Sequence, residues 1–163
     1  MSSTQKATAP HVGLDDNARL TTIESLRGLL ADSYAVYGKT HGFHWNVQGP
    51  NFQSLHTLFE EQYRDIWAAL DEIAERIRTL GAFAPASSSA LLANTSIEPA
   101  GDEPPAAQEM VTTLLADQET LIQRARNALT TAEEAGDAAS ADLITARIES
   151  HEKMAWMLRA TAG

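Results

Sequence analysis

A histidine and three carboxylates, His56, Glu60, Asp71 and Glu75, fall within one stretch that reads as a long helix from about Phe52 to Leu80. At about 100° per residue the four share an arc of about 100°, interleaved with Tyr63, Trp67 and Ala74. Beside that arc runs an apolar stripe of Leu55, Phe59, Ile66, Leu70, Ile73, Ile77 and Leu80. Glu61, Asp65, Glu72, Arg76 and Thr79 take the opposite side, where water is expected. Charges flanking a core stripe are costly unless they are paired or bound to a cation. His56 with Glu60, and Asp71 with Glu75, stand four residues apart, so each pair can grip one ion from a single helix face.

The two pairs cannot meet within one chain, because His56 and Asp71 lie about 22 Å apart along a straight helix. Two copies of the helix packed antiparallel across a two-fold axis would set the first pair of one against the second pair of the other. The spacing thus predicts a dimer with two identical metal sites between subunits. Taken singly, each of these residues reads equally as a salt-bridge partner or a solvated charge, and Arg64 and Arg78 stand close enough in sequence to supply the pairing. With no cysteine in the chain, a metal would be held by oxygen and imidazole nitrogen alone. Such a set suits iron or manganese, with zinc as a competitor. No Glu-x-x-His occurs, so the intrachain di-metal centre of helical bundles is not available.

The elements that must position these groups are all helical. A first helix is expected from Thr21 or Thr22 to about His44, opened by capping-box spacing between Thr21 and Glu24 and ended by Gly42 and the run Asn46–Asn51. Gly81 stops the second helix. A third follows Pro104-Pro105 and runs to Gly136, and a fourth spans about Ser140 to Leu158. Between the second and third, Ala82 to Pro105 can reach roughly 80 Å when extended, enough to cross a bundle about 43 Å long. A long crossover between two helical hairpins is the ferritin-like arrangement. The expected fold is therefore all-α, a ferritin-like four-helix bundle over residues 21–163, with a possible short helix at Ala86–Leu92 inside the crossover. Residues 1–20 read as a flexible tail carrying His11.

The formal net charge of −10 attracts cations and repels polyanions. No apolar run approaches the roughly 20 residues that span a membrane. The first residues lack the apolar core of a secretory signal, so a cytoplasmic protein is expected, whether or not associated with the nucleoid.

The block His44-Trp45-Asn46-Val47-Gln48-Gly49-Pro50-Asn51-Phe52, followed by His56, Phe59-Glu60, Asp71, Ala74-Glu75-Arg76-Ile77 and Leu80-Gly81, strongly resembles the signature of the Dps (DNA-protection-during-starvation) family. Asp142-Leu143 and Trp156 fit the same pattern, and the likeness covers most of residues 20 to 160. The resemblance implies a hollow dodecamer with ferroxidase centres between two-fold-related subunits, which oxidises ferrous iron with hydrogen peroxide and stores the ferric product. It implies that His44 and His56 come from one subunit, and Asp71 and Glu75 from its partner. Glu60 stands where the family commonly has Asp, and its longer carboxylate would ligate directly or through water. Trp45 would lie near the centre, while Trp67 reads equally as near-centre or as core packing.

Three further readings complete the expectation. His41 is read as facing solvent or assisting entry, and His151, on the apolar stripe of its helix, as a satisfied core histidine. Asp137 and Asp142 flank the start of the fourth helix, where acids ordinarily cap; the resemblance adds a role lining three-fold pores. DNA binding is expected to be weak or absent, since the first twenty residues carry only Lys6 and Arg19 against Asp15 and Asp16. The alternative readings are a non-catalytic metal-binding cage and a nucleoid-associated, DNA-protecting one.

Overall fold

The computed structural model describes residues 7–163; Lys6 and the rest of the first six residues lie outside the described part. Five helices follow in order: α1 (Asp16–Asn46), α2 (Phe52–Thr79), α3 (Ser88–Leu92), α4 (Ala107–Glu134) and α5 (Ala138–Ala162). The described residues contain no strand. The short 47–51 turn makes α1 and α2 one hairpin, and Gly136 makes α4 and α5 another. Helix α1 packs on both α2 and α4, while α5 packs mainly on α4 and meets α2 chiefly through side chains, from Gln62 to Arg76. The crossover of residues 80–106, with α3 inside it, joins the hairpins, as the linker length predicts. No helix among the described residues is long and apolar enough to cross a membrane.

Helix α1 begins five residues earlier than its sequence suggests. Asp15 is the cap, its carboxylate accepting the Ala18 N–H at 2.9 Å. The Thr21–Glu24 pair only imitates a capping box. Thr21 donates its hydroxyl to the Asn17 carbonyl at 2.8 Å, and Glu24 pairs with Arg27 at 2.6 Å. Arg19, read as part of the tail, is buried and donates to the Leu80 carbonyl at 2.9 Å, which ties the start of α1 to the end of α2. Gly42 lies inside α1 and does not end it.

At Gly81, φ is +86°, a left-handed conformation in which glycine carries no Cβ penalty. Its N–H bonds the Arg78 carbonyl at 2.9 Å, and the Ala82 N–H bonds Ile77 at 3.2 Å, the paired closure of a Schellman stop. A Cβ at Gly81 would also meet Pro10 Cδ at 2.5 Å, so the segment before α1 lies against this corner.

All seven members of the α2 apolar stripe are buried, Phe59, Ile66, Ile73, Ile77 and Leu80 completely. Ile66, Leu70, Ile73, Ile77 and Leu80 join a cluster with Leu26, Leu29 and Leu30 of α1, Leu121 of α4 and Ile144 of α5, while Leu55 and Phe59 join a second one with Phe43, Met110, Leu114 and Leu158. The crossover is fastened by one buried carboxylate. Asp32 accepts the Thr95 hydroxyl at 2.9 Å, the Ser96 N–H and hydroxyl at 2.7 Å each, and Arg124 at 2.8 Å. Gly28 leaves room for that arginine, since a Cβ there would sit 2.8 Å from its Nη1.

Candidate metal centre

The turn between α1 and α2 folds His44 onto His56, with ring centroids 3.8 Å apart and planes inclined by 19°. Each ring bonds the other's backbone: His44 Nδ1 meets the His56 carbonyl at 2.8 Å, and His56 Nδ1 meets the His44 carbonyl at 2.8 Å. A carbonyl oxygen can only accept, so both Nδ1 atoms carry the hydrogen. In the neutral rings this leaves both Nε2 lone pairs free, the tautomer a metal ligand requires and the kind of backbone support that orients one. His44 is 8% exposed and His56 half-buried, so the pair is held rather than floating.

Glu60 stands one turn further along α2, half-buried, and is bonded by Arg64 at 2.6 Å. Of the two arginines considered as partners for the acids, only Arg64 acts as one. Arg78 instead donates to the Ala82 carbonyl at 3.0 Å and lies over the Phe83 ring at 4.4 Å. Asp71 and Glu75 are exposed. Among the described residues they take part in no ion pair or side-chain hydrogen bond. No group of three His, Asp or Glu able to hold a metal forms among the described residues of the single chain. The chain carries two halves of a donor set: an oriented imidazole pair at one end of α2, and an unpartnered carboxylate pair about 22 Å away along the helix axis.

His41, read as solvent-facing, sits within an aromatic cluster. Its ring stacks on Tyr63 at 3.9 Å, lies 4.3 Å from Trp45, and its Nδ1 is 3.1 Å from the Tyr37 hydroxyl. Burial, with His44 and Arg64 nearby, lowers its pKa below the usual imidazole value. Burial and the neighbouring Tyr34 and Tyr63 raise that of Tyr37. Trp45 is 67% exposed next to His41. Trp67 is 59% exposed against Tyr37, which removes it from the core. The i, i+4 spacing of Tyr37, His41 and Trp45 on α1 was the available signal for this cluster.

Two residues expected to face water are instead engaged by α5. Arg147 and Ser150 of α5 bond Asp65 at 2.6 and 2.9 Å. Burial would raise this carboxyl, but those two bonds outweigh it and hold its pKa below the usual value. Arg76 reaches Ser140 at 2.8 Å and Asp137 at 2.7 Å. Asp137 is buried and caps α5, accepting the Ser140 N–H at 3.0 Å and the Ser140 hydroxyl at 2.6 Å. Both its oxygens are thus engaged within the chain, in the capping role expected at the start of this helix. Asp142 is exposed on the outer face of α5.

His151 is fully buried, as its place on the apolar stripe predicts. Its Nδ1 is 2.8 Å from Gln118 Oε1, and its Nε2 is 3.4 Å from Arg147. Burial first, then the Arg147 charge, push its pKa down to about 3, so it remains neutral. The bundle interior thus holds a network of Gln118, His151, Arg147 and Asp65 in which both imidazole nitrogens are engaged.

Known proteins agree with this architecture. The ferritin-like domain family matches residues 23–163. The DNA protection during starvation protein of Brevibacillus brevis is 39% identical over 146 residues, covering 86% of this chain and 97% of that one. A low temperature-induced protein of Nostoc is 40% identical over 91% of this chain and 84% of its own length. The Dps protein of Vibrio cholerae, described as a member of a superfamily of ferritin-like diiron-carboxylate proteins, superposes with a TM-score of 0.89 at 33% identity, over 99% of this chain and 100% of that one. That of Bacillus brevis gives 0.87 at 35% identity, over 92% and 100%. Helix order, crossover and sequence agree with these relatives along nearly the whole chain, which belongs to the Dps family of the ferritin-like proteins.

Proposed function

We propose that the chain is a subunit of a hollow, cytoplasmic, dodecameric cage that oxidises ferrous iron with hydrogen peroxide at centres between two-fold-related subunits and stores the ferric product. The observation that carries this reading is the split donor set. His44 and His56 present two oriented Nε2 atoms, Asp71 and Glu75 present unpaired carboxylates, and one chain cannot bring the two together.

Two imidazoles with two or three carboxylates and no sulfur form a set that fits iron, with zinc and manganese as competitors. In the cage, His44 and His56 of one subunit and Asp71 and Glu75 of its partner bind ferrous ions. Glu60 joins once it leaves Arg64, directly or through water. Hard carboxylate oxygens favour the ferric state and so ease loss of the electron. Two ferrous ions give one electron each to hydrogen peroxide, its O–O bond breaks, and two protons complete two waters. Asp142, exposed near the start of α5, supplies charge along the entry route, and Trp45 borders the centre. Removing iron and peroxide in one step protects the cell against oxidative damage. With a charge of −10 on each subunit, DNA is bound weakly or not at all.

The test is anaerobic ferrous loading followed by a peroxide pulse, read as ferric absorbance. Fast oxidation that disappears in the Asp71→Ala, Glu75→Ala double variant supports the reading. Equal rates in both proteins contradict it.

A further inference from the structure

Of the four methionines, Met110 is buried in the core and Met1 lies outside the described residues. The other two stand together. Met154 and Met157, one turn apart on α5, line a single cleft of about 180 Å³ between α5 and α2. Its other polar walls are Glu61, Gln62, Asp65, Ser150 and Lys153.

The groups in this cleft differ in what they have left to offer. Asp65 is spent on Arg147 and Ser150. Gln62 is 2% exposed; its Nε2 donates to the Met154 carbonyl at 3.4 Å, and its Oε1 finds no partner among the described residues. A buried carbonyl oxygen without a donor is costly, and a small molecule bearing O–H groups relieves it. Lys153 takes part in no ion pair among the described residues, so its ammonium is a free donor at the same cleft. The Met154 sulfur accepts an N–H from Gln118 at 3.4 Å and is nearly buried, whereas Met157 is half-buried. Of the two carboxylates at the cleft, Asp65 is neutralised by arginine and Glu61 stands beside the Lys153 ammonium, so no pair of free carboxylates is left to hold a metal cation. The cleft suits a small neutral oxidant beside a polarizable thioether.

We propose that this cleft is a peroxide-consuming methionine site, distinct from the iron centre, at which Met157 and then Met154 are oxidised to the sulfoxide. Hydrogen peroxide donates one O–H to Gln62 Oε1. A Met157 sulfur lone pair attacks one peroxide oxygen, so an S–O bond forms and the O–O bond breaks. The departing oxygen takes a proton from Lys153 and leaves as water. The proton on the transferred oxygen then restores the ammonium. Sulfur loses two electrons, peroxide gains two, and a methionine sulfoxide reductase reverses the change.

The experiment uses the full-length assembled protein, metal-free and in chelator, so that the iron centre is silent and its failure would not touch this result. Hydrogen peroxide is added with N-acetylmethionine amide in the same tube, and sulfoxide is mapped by peptide mass at Met110, Met154 and Met157. Oxidation is expected in the order Met157, Met154, Met110, with Met157 about tenfold faster than the free amide through its positioned donor and acceptor. Lys153→Gln, a change on the exposed side of α5, should return Met157 to about the rate of the amide. Gln62→Leu should do the same. A Met157 rate no greater than that of the amide, or one unchanged by Lys153→Gln, would overturn the proposal.

Discussion

The bundle holds two sets of polar groups at its helix faces, and they differ in completeness. In the interior, Gln118, His151, Arg147, Asp65 and Ser150 bond one another until the histidine is fixed as a neutral ring with both nitrogens engaged. At the α1–α2 turn, His44 and His56 use one nitrogen each on a backbone carbonyl and keep the other free. Along the same helix, Asp71 and Glu75 have no ion-pair or hydrogen-bond partner for their side chains among the described residues. Buried polar groups are normally satisfied. The closed set therefore reads as architecture, and the open set, with oriented imidazoles and exposed acids, as a candidate surface for a ligand outside the chain.

The comparison can be broken most forcefully at its open side. Substituting Asp71 and Glu75 together by alanine should lower peroxide-driven ferrous oxidation by about a hundredfold, since carboxylate ligands are removed outright. Thermal stability of the single fold should be nearly unchanged, because neither side chain packs or bonds within it. A large loss of Tm instead would move the acid pair to the architectural side.

The converse holds for the closed set. His151→Leu leaves Gln118 and Arg147 buried without their partner and should cost about 2–4 kcal/mol, read by denaturant unfolding. Acid dependence sharpens the point. The unfolded chain protonates this histidine at its ordinary value of 6.5, while the folded chain resists until about 3. Between these values the unfolded state binds more protons. The contribution of this residue to stability is therefore intact above pH 6.5 and lost as pH falls towards 3, at up to about 1.4 kcal/mol per unit. His151→Gln should flatten that slope; an unchanged slope would contradict the assignment.

A smaller effect is expected at the crossover. Gly28→Ala must displace Arg124 from the Asp32 cluster and should cost about 1–3 kcal/mol, read as a fall in Tm with oxidation activity retained. Smallest of all is the contrast at the start of α5. Asp137→Ala should lose about 1–2 kcal/mol of capping and pairing. Asp142→Asn should leave Tm where it is and, under the proposed entry route, slow ferrous uptake only.

Much of this was legible in the residues because the second helix carries two periodicities at once. The apolar stripe from Leu55 to Leu80 is buried throughout, and beside it His56 and Glu60 stand at one end of the helix and Asp71 and Glu75 about 22 Å further along. A helix wheel ranks the faces of one helix but does not know its neighbours. Asp65 and Arg76 lie opposite the core stripe, yet α5 brings Arg147 and Ser150 to one and Asp137 to the other. The start of α1 was hidden for a local reason. Thr21 and Glu24 have the spacing of a cap, while Asp15 closes the helix with a bond that spacing alone does not distinguish. His41 was misread because its stacking partner Tyr63 comes from a different helix.

The central claim, that each centre is assembled from two chains, is tested most directly by complementation. A His44→Ala, His56→Ala variant and an Asp71→Ala, Glu75→Ala variant, each inactive alone, are co-expressed under different tags and the mixed cages purified. If the centres span the two-fold axis, random pairing rebuilds about a quarter of them from the intact half of each parent, and peroxide-driven iron oxidation returns in proportion. If mixed cages stay as inactive as either parent, the four residues do not meet across subunits, and the split donor set loses its meaning.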